Sequence, residues 1–150
     1  MRPIERLLDQ LNRAFGGEAW HGPALRNLLD GITDEQAKSH PIRGAHSILE
    51  LVVHIGIWND VVARRVAGTA VESSEVDDWA DVSKITWPAA IKQLEAAQSR
   101  LEDAVARLNP DELEQIVPGA RKRSKFGEIA GALQHTVYHA GQIALLKKAF

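Results

Sequence analysis

Cysteine is absent from the 150 residues, and tyrosine and methionine occur once each. Without thiols the chain forms no disulfide, no thiolate metal site and no cysteine nucleophile, so any metal it holds must take nitrogen or oxygen ligands. That leaves histidine and carboxylate. There is no surplus of positive charge either. Eighteen lysines and arginines stand against 20 acidic residues, a formal net charge of −2, whereas a general nucleic-acid binder needs a basic face to neutralise phosphates. Long apolar runs are also missing. No stretch reaches the roughly 20 residues that cross a bilayer, and the first ten residues carry Arg2, Glu5, Arg6 and Asp9 where a signal peptide has its apolar segment. The expectation is a cytoplasmic protein with neither membrane nor nucleic acid as partner.

What is present is apolar periodicity of one kind. Four segments repeat apolar side chains at 3.6-residue spacing and none alternates with period two, so the chain reads as all-α, with residues 1–150 forming a single domain. The first helix starts at Pro3 and carries Ile4, Leu7, Leu8, Leu11 and Phe15 before Gly16-Gly17. Short helical pieces follow after Pro23 and from Thr33 to Lys38. The second long helix begins at Ser47, whose spacing to Glu50 is that of a capping box, and runs to Val66 before Gly68. Thr69 to Ile85 lacks periodicity. Some 17 extended residues reach more than 50 Å, roughly, against about 30 Å for a helix of about 20 residues, so this connection can travel back along the bundle and leave helices two and three parallel. Thr86 caps the third helix, with Ile91, Leu94, Leu101, Val105 and Leu108 inward, and Asn109-Pro110 ends it. Phe126 to Phe150 reads as the fourth.

Three histidines occupy core-facing positions on these helices. His135 and His139 are four apart, which places their Cβ atoms about 5 to 6 Å apart on one face, beside Ala132, Ile143 and Leu146. His54 shares its face with Leu51, Trp58 and Val61. Three imidazoles with one open position make a catalytic site for a divalent ion, the open position holding water. The bland alternative is that His54 is a hydrogen-bonded core residue and that the pair lies on a solvated face. His21, His40 and His46 lie near turns or helix starts and are left out of the site. Thr136 follows His135 where a zinc protease has its glutamate base, and the carboxylate motifs of di-iron bundles are absent, so one metal is the expected count.

The chain resembles the DinB-like (DinB/YfiT-like) metalloenzyme family over essentially its whole length. The matching segments are Ala19-Trp20-His21-Gly22-Pro23 with Leu25, Thr33-Asp34-Glu35-Gln36-Ala37, His46-Ser47-Ile48 leading to His54-Ile55, and above all His135-Thr136-Val137-Tyr138-His139-Ala140-Gly141-Gln142-Ile143. The resemblance implies a four-helix bundle in up-down-down-up order, with a long helix 2 to helix 3 crossover. It maps the metal triad onto His54, His135 and His139, and implies homodimers and bound zinc or nickel. It also implies thiol chemistry on a small-molecule substrate, either S-transfer with bacillithiol, mycothiol or glutathione as cosubstrate, or thiol-dependent isomerisation. A non-catalytic stress-related metal-binding bundle and a metal-dependent hydrolase of a small ester or amide stay open beside it.

Six further features carry alternatives. Gln142 orients a ligand or simply closes a buried hydrogen bond. Trp58 walls the metal pocket or packs in the core. Glu50 completes the Ser47 cap in preference to serving His54. Trp79, in an acidic loop, covers the site or fills a dimer contact, whereas Tyr138 reads as a core or interface residue. The basic cluster Arg121, Lys122, Arg123 and Lys125 reads as solvated charge, with docking of an anion as the alternative.

Overall fold

The computed structural model describes residues 2–119 and 122–150, so Arg121 of the basic cluster lies outside the described residues. Six α-helices are present: α1 (Pro3–Phe15), α2 (Leu25–Leu29), α3 (Asp34–Lys38), α4 (Ile48–Val66), α5 (Trp87–Ala106) and α6 (Lys125–Leu146). Among the described residues there is no β-strand, only two isolated bridges, Ala19 with Gly22 and Ile116 with Ser124. The caps explain where the helices begin. Ser47 Oγ accepts from Glu50 N at 3.2 Å while Glu50 Oε2 accepts from Ser47 N at 2.7 Å, the reciprocal arrangement expected from the sequence. Thr33 with Gln36 makes a second such box, and Thr86 and Ser124 cap α5 and α6.

The four long helices fix the architecture through their pairings. Along α4 and α5, Gly56 faces Leu94, Asn59 bonds Gln98 and Asp60 pairs with Arg100, so residue numbers rise together and the helices are parallel. Between α4 and α6 the order reverses, with His54 at His135 and Arg65 at Glu128. On α1, Phe15 shares a cleft with Ile91 and Leu94 of α5, and Ile4 packs in one cluster with Leu101 and Val105, an antiparallel pair. The result is the up-down-down-up order that the long crossover suggested.

The crossover between α4 and α5 contains one 3-10 turn, Ser73–Glu75, and is pinned at its start. Arg65, buried, donates through Nε and Nη2 to the Val71 carbonyl at 2.8 and 2.6 Å. Gly119, from the loop before α6, crosses the same backbone with φ +71, and a Cβ there would lie 2.7 Å from Val71 O. Both the positive φ and the overlap require glycine.

Two apolar clusters fill the interior. One gathers Leu25, Ile48, Leu49, Val52, Ile55, Leu94 and Ile143; the other gathers Leu11, Val66, Leu101, Val105 and Ile129. The histidines of α4 and α6 sit at the level between them. Two boundaries differ from expectation. The fourth helix starts at Lys125 and ends at Leu146, and a 3-10 turn, Lys147–Ala149, replaces its last residues. Lys147 explains the break, because its Nζ donates at 2.9 Å to the carbonyls of both Leu28 and Asp30 at the end of α2, satisfying carbonyls that a short helix leaves free. Leu108 lies beyond the end of α5, yet still packs against the second cluster.

Candidate metal centre

His54 lies in the first half of α4, where its ring turns into the bundle among Leu51, Ile55 and Val61. His135 and His139 lie one turn apart on α6, between Ala132 and Ile143. The three rings meet. His135 Nε2 stands 2.9 Å from His54 Nε2 and 3.0 Å from His139 Nε2, and the candidate ligand atoms of all three lie within 4.8 Å of one another.

The outer nitrogens decide what these contacts mean. His54 Nδ1 is 2.7 Å from the main-chain carbonyl of Asp78, which can only accept, so Nδ1 carries the proton and Nε2 presents a lone pair. His139 Nδ1 is 2.5 Å from Gln142 Oε1, with the same consequence. His135 Nε2 therefore faces two lone pairs, and a single proton on it can satisfy one of them. A cation satisfies all three at once. The three nitrogens, two of them 2.9 and 3.0 Å from the third, are of the type and closeness that would hold one such ion. The donor set fits a divalent ion. Among the described residues no fourth histidine or carboxylate joins the cluster.

Protonation state agrees with this role. Burial holds the His135 imidazole down to about 4, aided by the neighbouring His139 and His54. Burial also lowers His139, although its bond to Gln142 opposes the shift. Both rings are thus neutral at pH 7, the form that binds a metal.

The crossover loop supplies the roof. Trp79 stacks on His54 with ring centroids 3.9 Å apart and planes 1° apart, and on His46 at 3.5 Å and 4°. Trp79 therefore covers the site, and His46, excluded from it on sequence grounds, holds the cover. Asp78 links roof to wall: its carbonyl accepts from His54, while its carboxylate Oδ1 accepts from Trp58 Nε1 at 2.5 Å. Nothing in the sequence selects Asp78, since loop residues obey no periodicity; it meets His54 through its main-chain carbonyl and, at 3.2 Å, through carboxylate Oδ1.

The remaining candidates fall into place. Gln142 orients His139, and Glu50 is the helix cap, accepting also from His40 at 3.1 Å. Trp58 walls a cavity of about 240 Å³ that His135 also lines, together with Val62, Arg65, Arg123 and Glu128. Tyr138 is not a core residue; it is 66% exposed and touches the edge of His139 from outside. Lys125 is buried against Glu112 at 2.8 Å, so it is structural and not a free cation.

Among curated proteins none matches the sequence. A solved structure, described as the crystal structure of the conserved protein of locus from Enterococcus faecalis, superposes with a TM-score of 0.76 over 99% of this chain and 97% of that one, at 14% sequence identity. That likeness carries the fold alone. No helix among the described residues is long and apolar enough to cross a membrane. The model of the DinB superfamily matches residues 19–143, and the chain belongs to that superfamily.

Proposed function

We propose that this chain is a mononuclear metalloenzyme that acts on a small molecule, with His54, His135 and His139 as ligands of one zinc or nickel ion, and that its reaction is thiol-dependent S-transfer. The convergence of three Nε2 atoms, two of them fixed as bare acceptors by partners on Nδ1, carries the reading. Membership of a superfamily that is typically metal-binding supports it. When bound, the ion supplies Lewis acidity that favours the thiolate of a cosubstrate, so a chain without cysteine can still present a sulfur nucleophile.

The chain's own residues do the rest. Asp78 and Gln142 hold two ligand rings in one tautomer and one orientation, which raises their donor strength. Trp79 excludes water from the His54 side by stacking on that ring. Trp58 and Val62 line the cavity beside His135 with apolar surface. At about 240 Å³ it lies below the range typical of drug-sized ligands, which favours a small substrate.

The test is thiol consumption. Zinc- and nickel-loaded protein incubated with an electrophilic acceptor and bacillithiol, mycothiol or glutathione in turn is expected to consume one of these thiols faster than apoprotein does. No acceleration with any of them, or turnover of an ester with no thiol added, would contradict transfer. The cosubstrate's identity, a homodimeric state and a cytoplasmic location belong to the same proposal, and gel filtration with in-line light scattering tests the second.

A further inference from the structure

The cavity beside His135 has a charge pattern that the metal centre does not use. Arg65 and Glu128 form an ion pair in its wall, Nη1 to Oε2 3.1 Å, both side chains almost wholly buried. Arg65 spends its other N–H groups on Val71 O and Ser73 Oγ, so this pair is self-contained. Arg123 is different. Its Nη1 lies 3.8 Å from Glu128 Oε1 and its side chain is 60% exposed. That separation is beyond hydrogen-bond reach, and Glu128 Oε1 is buried with no hydrogen-bond partner. Glu128 thus attracts the guanidinium to the rim of the cavity without occupying its N–H groups.

The remaining lining is apolar or aromatic, through Trp58, Val62 and Ala132. Gly131 sets the spacing. An added Cβ there would stand 3.9 Å from Arg123 Nη1, and His135 follows four residues later, about 6 Å along the helix. Two arginines against one carboxylate leave the wall one positive charge in excess, and with an apolar floor and a metal-ligand histidine about one helical turn away this defines a ligand. An amine would meet two arginines, and a neutral molecule would leave the rim cation unused.

We infer that this cavity is the subsite for a small carboxylate-bearing thiol, its carboxylate on Arg123, its short carbon chain against Trp58 and its sulfur toward the metal centre at His135. The inference rests on the proposed metal-dependent thiol transfer and names the charge and length of the molecule that enters. Guanidinium suits this role because it grips a carboxylate with two parallel N–H bonds.

The experiment uses the full chain loaded with cobalt(II), whose thiolate charge-transfer absorption reports sulfur binding without turnover. The probes are 3-mercaptopropionate and its neutral analogue 3-mercaptopropanamide. The acid is expected to bind about five- to tenfold tighter than the amide at low salt, with the ratio shrinking at high ionic strength. Arg123→Gln is expected to abolish the ratio and Arg123→Lys to keep part of it. Gly131→Leu, a favourable change for a helix interior, fills the cavity, and is expected to retain cobalt and weaken both thiols at least about tenfold. Equal affinities in the wild type, an unchanged ratio in Arg123→Gln, or unimpaired binding in Gly131→Leu would overturn the subsite while leaving the metal centre intact. Protein that takes up no cobalt, or takes it up and shows no thiolate band with either probe, would remove the transfer reading and this inference together.

Discussion

His54 donates its outer hydrogen bond to Asp78, 24 residues further on: Nδ1 lies 2.7 Å from the main-chain carbonyl oxygen and 3.2 Å from carboxylate Oδ1. The crossover loop is therefore part of the candidate metal centre although none of its side chains belongs to the histidine cluster. Asp78→Ala keeps that carbonyl, the shorter of the two contacts to His54, and removes the carboxylate that pairs with His54 Nδ1 and accepts from Trp58, so metal affinity is expected to fall less than about tenfold. Gln142→Leu removes the acceptor that holds His139 Nδ1 and is expected to cost about 10- to 100-fold. Competition with a zinc chelator ranks the two, and a larger loss in the Asp78 variant would contradict this division.

The Arg65–Glu128 pair joins α4 to α6 beside the cavity, with side chains only 4% and 3% exposed. Glu128→Ala leaves the guanidinium buried without its counter-charge, and is expected to destabilise the fold by about 3 to 5 kcal/mol. Replacing both together, Arg65→Met with Glu128→Leu, is expected to cost less than the single change. Urea denaturation of the two variants measures the difference.

Acid is expected to destabilise the apoprotein before it reaches the carboxylate range. Burial holds His135 at about 4 in the folded chain against 6.5 when free, so between those values the unfolded chain takes up a proton that the folded chain does not. Stability is then full above about 6.5 and falls as pH drops toward 4. The urea midpoint of metal-free protein, followed from pH 7.5 to 4.5, is expected to decline over that window, and less steeply in His135→Gln.

Gly119 bears a positive φ of 71 and presses on the Val71 backbone. Gly119→Ala combines strain with overlap against main chain, which cannot swing aside, and is expected to cost at least about 2 kcal/mol. Thermal melting checks this. A neutral outcome would mean that the two loops part at little cost.

Helix positions are legible in the sequence because caps and apolar periodicity are local signals: Ser47 with Glu50 and Thr86 each mark a start that the structure reproduces. The triad was legible because i, i+4 spacing and the apolar neighbours of His54 place three imidazoles toward one interior. The roof was not. Asp78 reaches His54 through both its carbonyl and its carboxylate, and it and Trp79 gain meaning only when the crossover folds over α4, so no spacing rule selects either. His46 was set aside because it precedes a helix, yet it is the ring on which Trp79 rests. The early end of α6 depends on Lys147 finding carbonyls 117 and 119 residues away, a contact no local pattern announces.

The most direct test is metal stoichiometry on protein purified without a polyhistidine tag. Elemental analysis is expected to give about one divalent ion per wild-type chain and a loss of that ion in His54→Ala, His135→Ala and His139→Ala, each variant remaining helical by circular dichroism. Metal content unchanged in these variants, or none in folded wild-type protein supplied with zinc and nickel, would contradict the assignment.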